Sequence, residues 1–344
     1  MLKALKYPIV QAPMAGGVST PALAAAVSEA GGLGFLAGGY KTSEELEKEI
    51  RELRGRTAAG FGVNLFVPGP DTADPQALEA YRAKLLKEAE TLNVSLGAPD
   101  FDDDDYARKI ALVQAERVPV VSFTFGCPAK ETVQTLQEKG IEVAVTVTNP
   151  AEAALALDAG ADVLCLQGAE AGGHRGTFSN DPDLREDIGL LVLIRLVRTL
   201  TDKPVIAAGG IMDGAGVRAA LAAGADAAQL GTAFLLCPES GTNAAYRKAL
   251  TDPEFTATRI TRAFTGRRAR GLVNRFMETY DAEAPAAYPQ VHHLTQRLRK
   301  EAAARGQADY MSLWAGQGYR MARAIPAAQL IHELMTEFHG KQNL

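Results

Sequence analysis

Short apolar runs alternate along this chain with longer stretches of helical period, eight times before about residue 240. The runs are "YPIVQAPM" (7–14), "LGFLAG" (33–38), "AGFGVNLFV" (59–67), "VPVVSFTFG" (118–126), "IEVAVTVT" (141–148), "ADVLCLQG" (161–168), "KPVIAAGG" (203–210) and "ADAAQLGT" (225–232). Their brevity, β-branched content and glycine or proline borders predict strands. The stretches between them carry helix signals. Residues 20–32 have Thr20 as cap, Pro21 in the first turn and Gly31 as stop, and 42–55 opens with a hydroxyl cap and an acidic turn. Further helices are predicted over 128–139, 150–159, 185–200 and 213–223. Repeated strand–helix units imply a parallel sheet, so the expected class is α/β and the expected fold a TIM (β/α)8 barrel. An open doubly wound sheet would share the alternation.

Two regions break the repeat. Residues 68–117 begin "PGPDTADP" and hold a charged helical stretch and the acidic run 100–105. That run lacks the glycine and closing glutamate of a calcium loop and reads as a solvated helix start. Beyond 240 the pattern turns helical, over 242–251, 270–279, 291–304 and 322–339. The expected organisation is a barrel over 1–240 with an insertion at about 68–117. A C-terminal helical subdomain over 241–344 would cover the barrel mouth.

Composition narrows the function. The 344 residues are 47% hydrophobic and 22% charged, with net charge −5 and no long basic block. Nucleic acid is not an expected partner, and the run Arg267 to Arg270 reads as local anion contacts or a solvated face. No apolar run reaches the ~18 residues of a membrane helix, and the N-terminal stretch has no secretory core. A cytoplasmic protein without membrane contact is expected, as monomer or weak homodimer. Cys127, Cys165 and Cys237 lie far apart without zinc spacing and read as free buried thiols; no metal site is expected.

In a barrel the C-terminal strand ends build the site. Here the seventh and eighth runs end in Gly209-Gly210 and in Gln229-Leu230-Gly231-Thr232. Glycine lets backbone N–H groups approach an anion, and two such turns at the last two strands make a phosphate site. The dinucleotide fingerprint GxGxxG is absent. Asn64 and Gln167 are amides at strand ends, able to donate and accept against the edge of a planar ring. Backbone around Ala12 and Met14 could approach that ring. Together these describe a flavin mononucleotide (FMN) pocket. The sixth run leads into "EAGGHRGTF", where Gly172 and Gly173 would fold the loop against the flavin and aim His174 at its reactive face. Arg175 would either pin that loop, through an ion pair with Glu170, or touch ligand.

Four segments, "QAPMAGGVSTPALAAAVSEAGGLGFLAGGY" (11–40), "VSFTFGCP" (121–128), "CLQGAEAGGHRGTF" (165–178) and "AAGGIMDGAGVRAALAAGADAAQLGTAFL" (207–235), resemble the nitronate monooxygenase family, and its propionate 3-nitronate class most. The tail 294–318 is similar too. The resemblance implies a TIM barrel with non-covalent FMN held by Asn64, Gln167, Gly172, Gly210 and Gln229 to Thr232, with His174 as catalytic histidine. It implies O2-dependent conversion of a small nitronate to an oxo product and nitrite. His174 would hold the nitro anion by hydrogen bond or charge, help proton steps, or abstract the α-proton of a neutral nitroalkane. Ser122 and Phe123 would line the pocket wall. Tyr288 and His292 would face substrate, where the family often places tyrosines and a lysine; His293 and Gln296 follow. The alternatives are an FMN-dependent, NAD(P)H-linked enoyl-thioester or quinone reductase on the same fold, and a flavin-binding module without activity.

Overall fold

A computed structural model describes residues 2–183 and 187–340. Its strands are β1 (Ile9–Gln11), β2 (Gly34–Ala37), β3 (Phe61–Phe66), β4 (Val120–Thr124), β5 (Glu142–Val147), β6 (Val163–Gln167), the two-residue β7 (Gly173–His174), β8 (Val205–Ala208), β9 (Ala227–Leu230), β10 (Thr258–Thr261) and β11 (Ala269–Leu272). Eight of them form one parallel sheet in the order β1-β9-β8-β6-β5-β4-β3-β2. The ends meet through a parallel bridge between Val10 and Leu33. Gln11 strengthens this seam: its Oε1 accepts from Phe35 N (2.9 Å) and its Nε2 donates to Ser19 Oγ (2.9 Å). The sheet is therefore a TIM barrel and not an open sheet.

The helices are α1 (Pro21–Glu29), α2 (Ser43–Arg56), α3 (Pro75–Thr91), α4 (Tyr106–Ala115), α5 (Lys130–Glu138), α6 (Pro150–Asp158), α7 (Leu190–Arg198), α8 (Gly214–Ala222), α9 (Ala244–Thr251), α10 (Arg275–Tyr280), α11 (Gln290–Ala304) and α12 (Ala327–His339). Side-chain caps start several of them, including Thr20, Asn149 and Asp213, and Thr42 with Glu45 forms a capping box. The helix predicted over 185–200 is seen from Leu190; 185 and 186 lie outside the described residues.

Both faces of a parallel barrel strand are buried, so each run is apolar throughout and alternates only in direction. Phe35, Val120, Ala144, Val163 and Ile206 fill the interior. Leu36, Val121, Phe123 and Val143 face the helices. Toward the C-terminal strand ends the inward positions turn polar: Asn64, Thr124, Thr146, Gln167 and Gln229 all line a cavity there.

The structure redraws the region after β9. Residues 270–272, expected in a helix, belong to β11, paired antiparallel with β10 and on its other side with β7. α12 does not cover the mouth: it packs on α8 and α1, and Leu330, Ile331 and Leu334 join the core of the barrel wall. In the insertion, α4 packs on α2 and β3, whereas α3 gives Leu78, Tyr81 and Leu85 to the core of α9–α11. Glu88 of α3 ties this together, accepting from Arg275 (2.8 Å) and from the Tyr280 hydroxyl (2.7 Å). The acidic run is not wholly solvated, because Asp104 pairs with buried Lys109 (2.8 Å) and accepts from Tyr40 N (2.8 Å).

Candidate active site

A cavity of about 520 Å³ opens over the C-terminal strand ends. Arg299 and Lys300 line it, but no Asp or Glu does among the described residues. Its floor is a polar row across three strands. Asn64 Nδ2 donates to Ser122 Oγ (2.9 Å) and Thr124 Oγ1 (3.0 Å), and the Thr124 hydroxyl donates to Thr146 Oγ1 (3.3 Å). With its amino group spent below, Asn64 keeps its carbonyl oxygen as an acceptor for a ligand.

The 168–178 loop is fixed from beneath. Arg175 is 1% exposed, and its Nη1 donates to Gln167 Oε1 (3.0 Å) and to the carbonyl of Gly168 (2.7 Å). Its ion pair is with Asp187 (3.4 Å), not with Glu170. Glu170 instead accepts from Leu190 N at the start of α7 (3.1 Å), a favourable place for a carboxylate. Glu152 takes Phe178 N (2.9 Å). Above the loop runs the segment 314–318: Gln317 N donates to Glu170 O (3.0 Å), and a Cβ on Gly172 would come within 2.4 Å of Gly316 N. Gly172 is thus required by this packing, independently of any cofactor.

The two glycine turns differ in conformation: Gly231 has an ordinary φ of −111°. Gly209 and Gly210 adopt φ of +135° and +68°, open to glycine and unfavourable for other residues. Gly231 precedes a short 3-10 turn from Thr232, whose Oγ1 accepts from Gly316 N (3.0 Å). The cavity wall there is built by β8, β9 and the 314–318 segment together.

His174 lies in β7, opposite Ala269. Its Nε2 is 2.9 Å from Thr265 Oγ1, and that hydroxyl donates to Arg267 O (3.1 Å). Nε2 therefore carries the proton and Nδ1 keeps the lone pair. Burial, with the charges of Arg267 and Arg299, pushes the imidazole pKa down to about 3, so it is neutral at pH 7. The ring packs against Trp314 (5.3 Å), Phe125 (5.8 Å) and Tyr288 (6.1 Å).

The other expected residues divide. Ala12, Met14, Asn64, Gln167, Gly172, Gly173, Gly209, Gly210, Gln229, Gly231, Thr232 and His292 line the cavity with His174. Leu230 does not: it points outward into the wall core, one position out of phase with Gln229. Phe123 likewise faces the helices, and Ser122 lies beneath Asn64; the next positions, Thr124 and Phe125, reach the cavity instead. Tyr288 lines a neighbouring cavity. Gln167 is already committed, its Oε1 accepting from Arg175 and Gly176 N and its Nε2 donating to His174 O (2.9 Å). The arginine run is buried, not solvated: Arg270 donates to Ala169 O (2.9 Å) and Arg267 to Thr177. Sequence reading did not single out Thr265, Arg299, Trp314 or Gly316, and took Arg267 only as a local anion contact or part of a solvated face.

The sequence pattern of the nitronate monooxygenase family matches residues 1–337. The chain belongs to that family. It is 46% identical to a nitronate monooxygenase of Pseudomonas aeruginosa, with 98% of each chain covered. Its structure is similar to that of a nitroalkane oxidase from Streptomyces ansochromogenes, at a TM-score of 0.96 and 53% identity over 98% of this chain and 97% of that one. A more distant likeness is to FabK from Thermotoga maritima, at a TM-score of 0.75 and 30% identity over 98% and 94%. Family membership makes the chain an oxidoreductase and assigns it nitronate oxidation. Among the described residues no helix is long and apolar enough to cross a membrane.

Proposed function

We propose that this family member uses FMN and O2 to convert alkyl nitronates, with propionate 3-nitronate as the kind of substrate, to an oxo product and nitrite. The observation that carries the reading is the cavity itself: free of carboxylates, walled by glycine turns and amides, and lined by His174 and His292, both held neutral by burial and nearby arginine charge. Gly209, Gly210, Gly231 and Thr232 would hold the phosphate, and Asn64 and Gln229 the ring edge. When bound, FMN supplies the redox chemistry. The protein excludes water, orients the substrate and stabilises its charge. A nitronate arrives as an anion and needs no base. A neutral nitroalkane does, and Nδ1 of His174 is the free acceptor for its α-proton. The field of Arg267 and Arg299 adds to burial in disfavouring imidazolium. An anion bound beside His174 offsets that field and raises its basicity.

Heat denaturation of the purified chain should release FMN. Anaerobic addition of propionate 3-nitronate or ethylnitronate should bleach the flavin, and NADH or NADPH should not. Release of FAD, or bleaching by NADH alone, refutes this reading. NADH bleaching would support the reductase alternative, which the likeness to FabK keeps in view.

A further inference from the structure

The segment joining β10 to β11 turns back beside His174, and its backbone is held from several sides. Thr265 N and Gly266 N both donate to Arg262 O (3.2 and 2.8 Å). Gly266 O accepts from Asn180 Nδ2 (2.9 Å), and Phe264 O accepts from the Thr295 hydroxyl of α11 (2.5 Å). Thr265 itself is 1% exposed. Its Oγ1 lies 2.9 Å from His174 Nε2, 3.1 Å from Arg267 O and 3.3 Å from Arg267 N. Arg267 N can only donate to that oxygen. The hydroxyl has one proton, and Arg267 O has no other donor among the described residues. Turned toward His174, that proton would leave a sheltered carbonyl unpaired, the costlier arrangement. The turn therefore commits the hydroxyl proton to its own backbone, and Thr265 can only accept from the imidazole. Nδ1 has no protein partner among the described residues, and His174 keeps a partly exposed face on the cavity.

We propose that Thr265 is a positioning residue for proton abstraction. By accepting from Nε2 it keeps the lone pair of His174 on Nδ1, and so lets the cavity use neutral nitroalkanes as well as nitronates. This deepens the reading above and rests on it, since His174 is the base there. In the step, the α C–H bond of the nitroalkane breaks. Its electron pair stays on the substrate as the nitronate, and its proton joins Nδ1. The imidazolium then has a proton on each nitrogen, and Thr265 still accepts the one on Nε2. One hydrogen bond thus serves both charge states of the ring and strengthens as the ring becomes cationic. Burial and the charges of Arg267 and Arg299 oppose that cation, so the acceptor on its far nitrogen counts for more than it would in water. A preformed nitronate skips the step and does not need the hydroxyl.

The first readout needs no turnover. Long-range proton–nitrogen NMR of the histidine-labelled, FMN-loaded chain at pH 7, with His174→Ala identifying the signal, should show Nε2 protonated and Nδ1 bare. The opposite tautomer overturns the proposal, and this measurement decides the matter should the variants not fold. Thr265→Val keeps the shape of the side chain and removes the hydroxyl. It should mix or invert the tautomers and lower kcat for nitroethane by about tenfold or more, with KM nearly unchanged. Its kcat for ethylnitronate should change by less than about twofold. Thr265→Ser should restore the tautomer and bring nitroethane turnover back to within about threefold of wild type. Equal losses on both substrates, no rescue by serine, or a wild type that oxidises the nitronate but not nitroethane overturns the proposal. A wild type that oxidises neither substrate, with the tautomer still shifted by Thr265→Val, would refute the function and leave the hold of Thr265 on His174 standing.

Discussion

Two cavities meet behind one aromatic wall, and they are opposites in charge. The one over the strand ends, about 520 Å³, has no carboxylate in its lining. Its neighbour, about 1120 Å³, is lined by Glu44, Glu45, Asp74, Asp181 and the run Asp102 to Asp105, with Lys41, Arg108 and Arg267 among them. Tyr40, Phe66, Phe125, His292 and Gln296 touch both. In the wall Tyr40 stacks on His292 at 4.0 Å and accepts a hydrogen bond from the Tyr288 hydroxyl (3.1 Å), while the Arg267 guanidinium lies 4.1 Å over Phe125. Tyr40 and Phe125 both hold positive φ, 64° and 75°, a strained state for aromatic residues. The larger space has the acids and the smaller has the residues proposed for the chemistry. An anionic substrate would be repelled by the first lining and attracted by the second, so convergent groups and charge favour the smaller space as the site although the other is larger.

The sharpest way to break this contrast is His174→Ala. It should leave the protein folded and yellow but lower kcat/KM for a neutral nitroalkane by roughly 10²–10⁴, the usual contribution of a positioned base. A preformed nitronate should lose less, since it needs no proton removal. Equal, small losses on both would remove His174 from the chemistry. Next in size, Gly231→Asp puts a carboxylate into the acid-free cavity at the phosphate turn. Flavin affinity, followed by fluorescence titration, should fall by more than about tenfold, or ~1.4 kcal/mol.

Acid should act through His174 as well. Its folded pKa, about 3, lies below the ordinary 6.5, so below pH 6.5 the unfolded chain binds a proton that the native site refuses. Stability is therefore full above pH 6.5 and declines as pH falls toward 3. Between pH 7 and 5.5 this group should remove about 1 kcal/mol from a urea-unfolding free energy, a loss absent in His174→Ala. The smallest effect belongs to the other cavity. Asp103→Asn trims an exposed lip charge, and kcat/KM for an anionic nitronate at low salt should rise by less than about twofold. In 0.5 M salt the difference should vanish.

The barrel was legible because buried parallel strands are apolar runs with glycine ends, and eight of them recur. The same property hid their phase. With both faces apolar, nothing in "VVSFT" says that Phe123 turns outward and Thr124 inward, and the pocket wall was placed two residues early. The β10–β11 hairpin was missed because "ARGL" buries an arginine where alternation would put an apolar side chain. α12 was read as part of the cap because 96 intervening positions separate β9 from it, far beyond an ordinary barrel connection. Arg299 was not singled out. A signal was present: His292, Thr295 and Arg299 follow the i, i+3, i+7 stripe of α11 beside Val291, Leu294 and Leu298. Polar residues on an apolar stripe mark a site facing inward.

The pairing of β7 with β11 sets an order of assembly. His174 is synthesised nearly a hundred residues before Ala269, its partner across the ladder. The wall of the barrel waits longer still, for α12 at the end of the chain. A ribosome that has just released β9 has made every barrel strand, yet the histidine lacks its flanking strand and the sheet lacks one covering helix. Such distant pairings form late and slowly. The proposed active-site bay is therefore among the last parts of the molecule to exist, and a chain stopped near residue 240 would expose it unfinished.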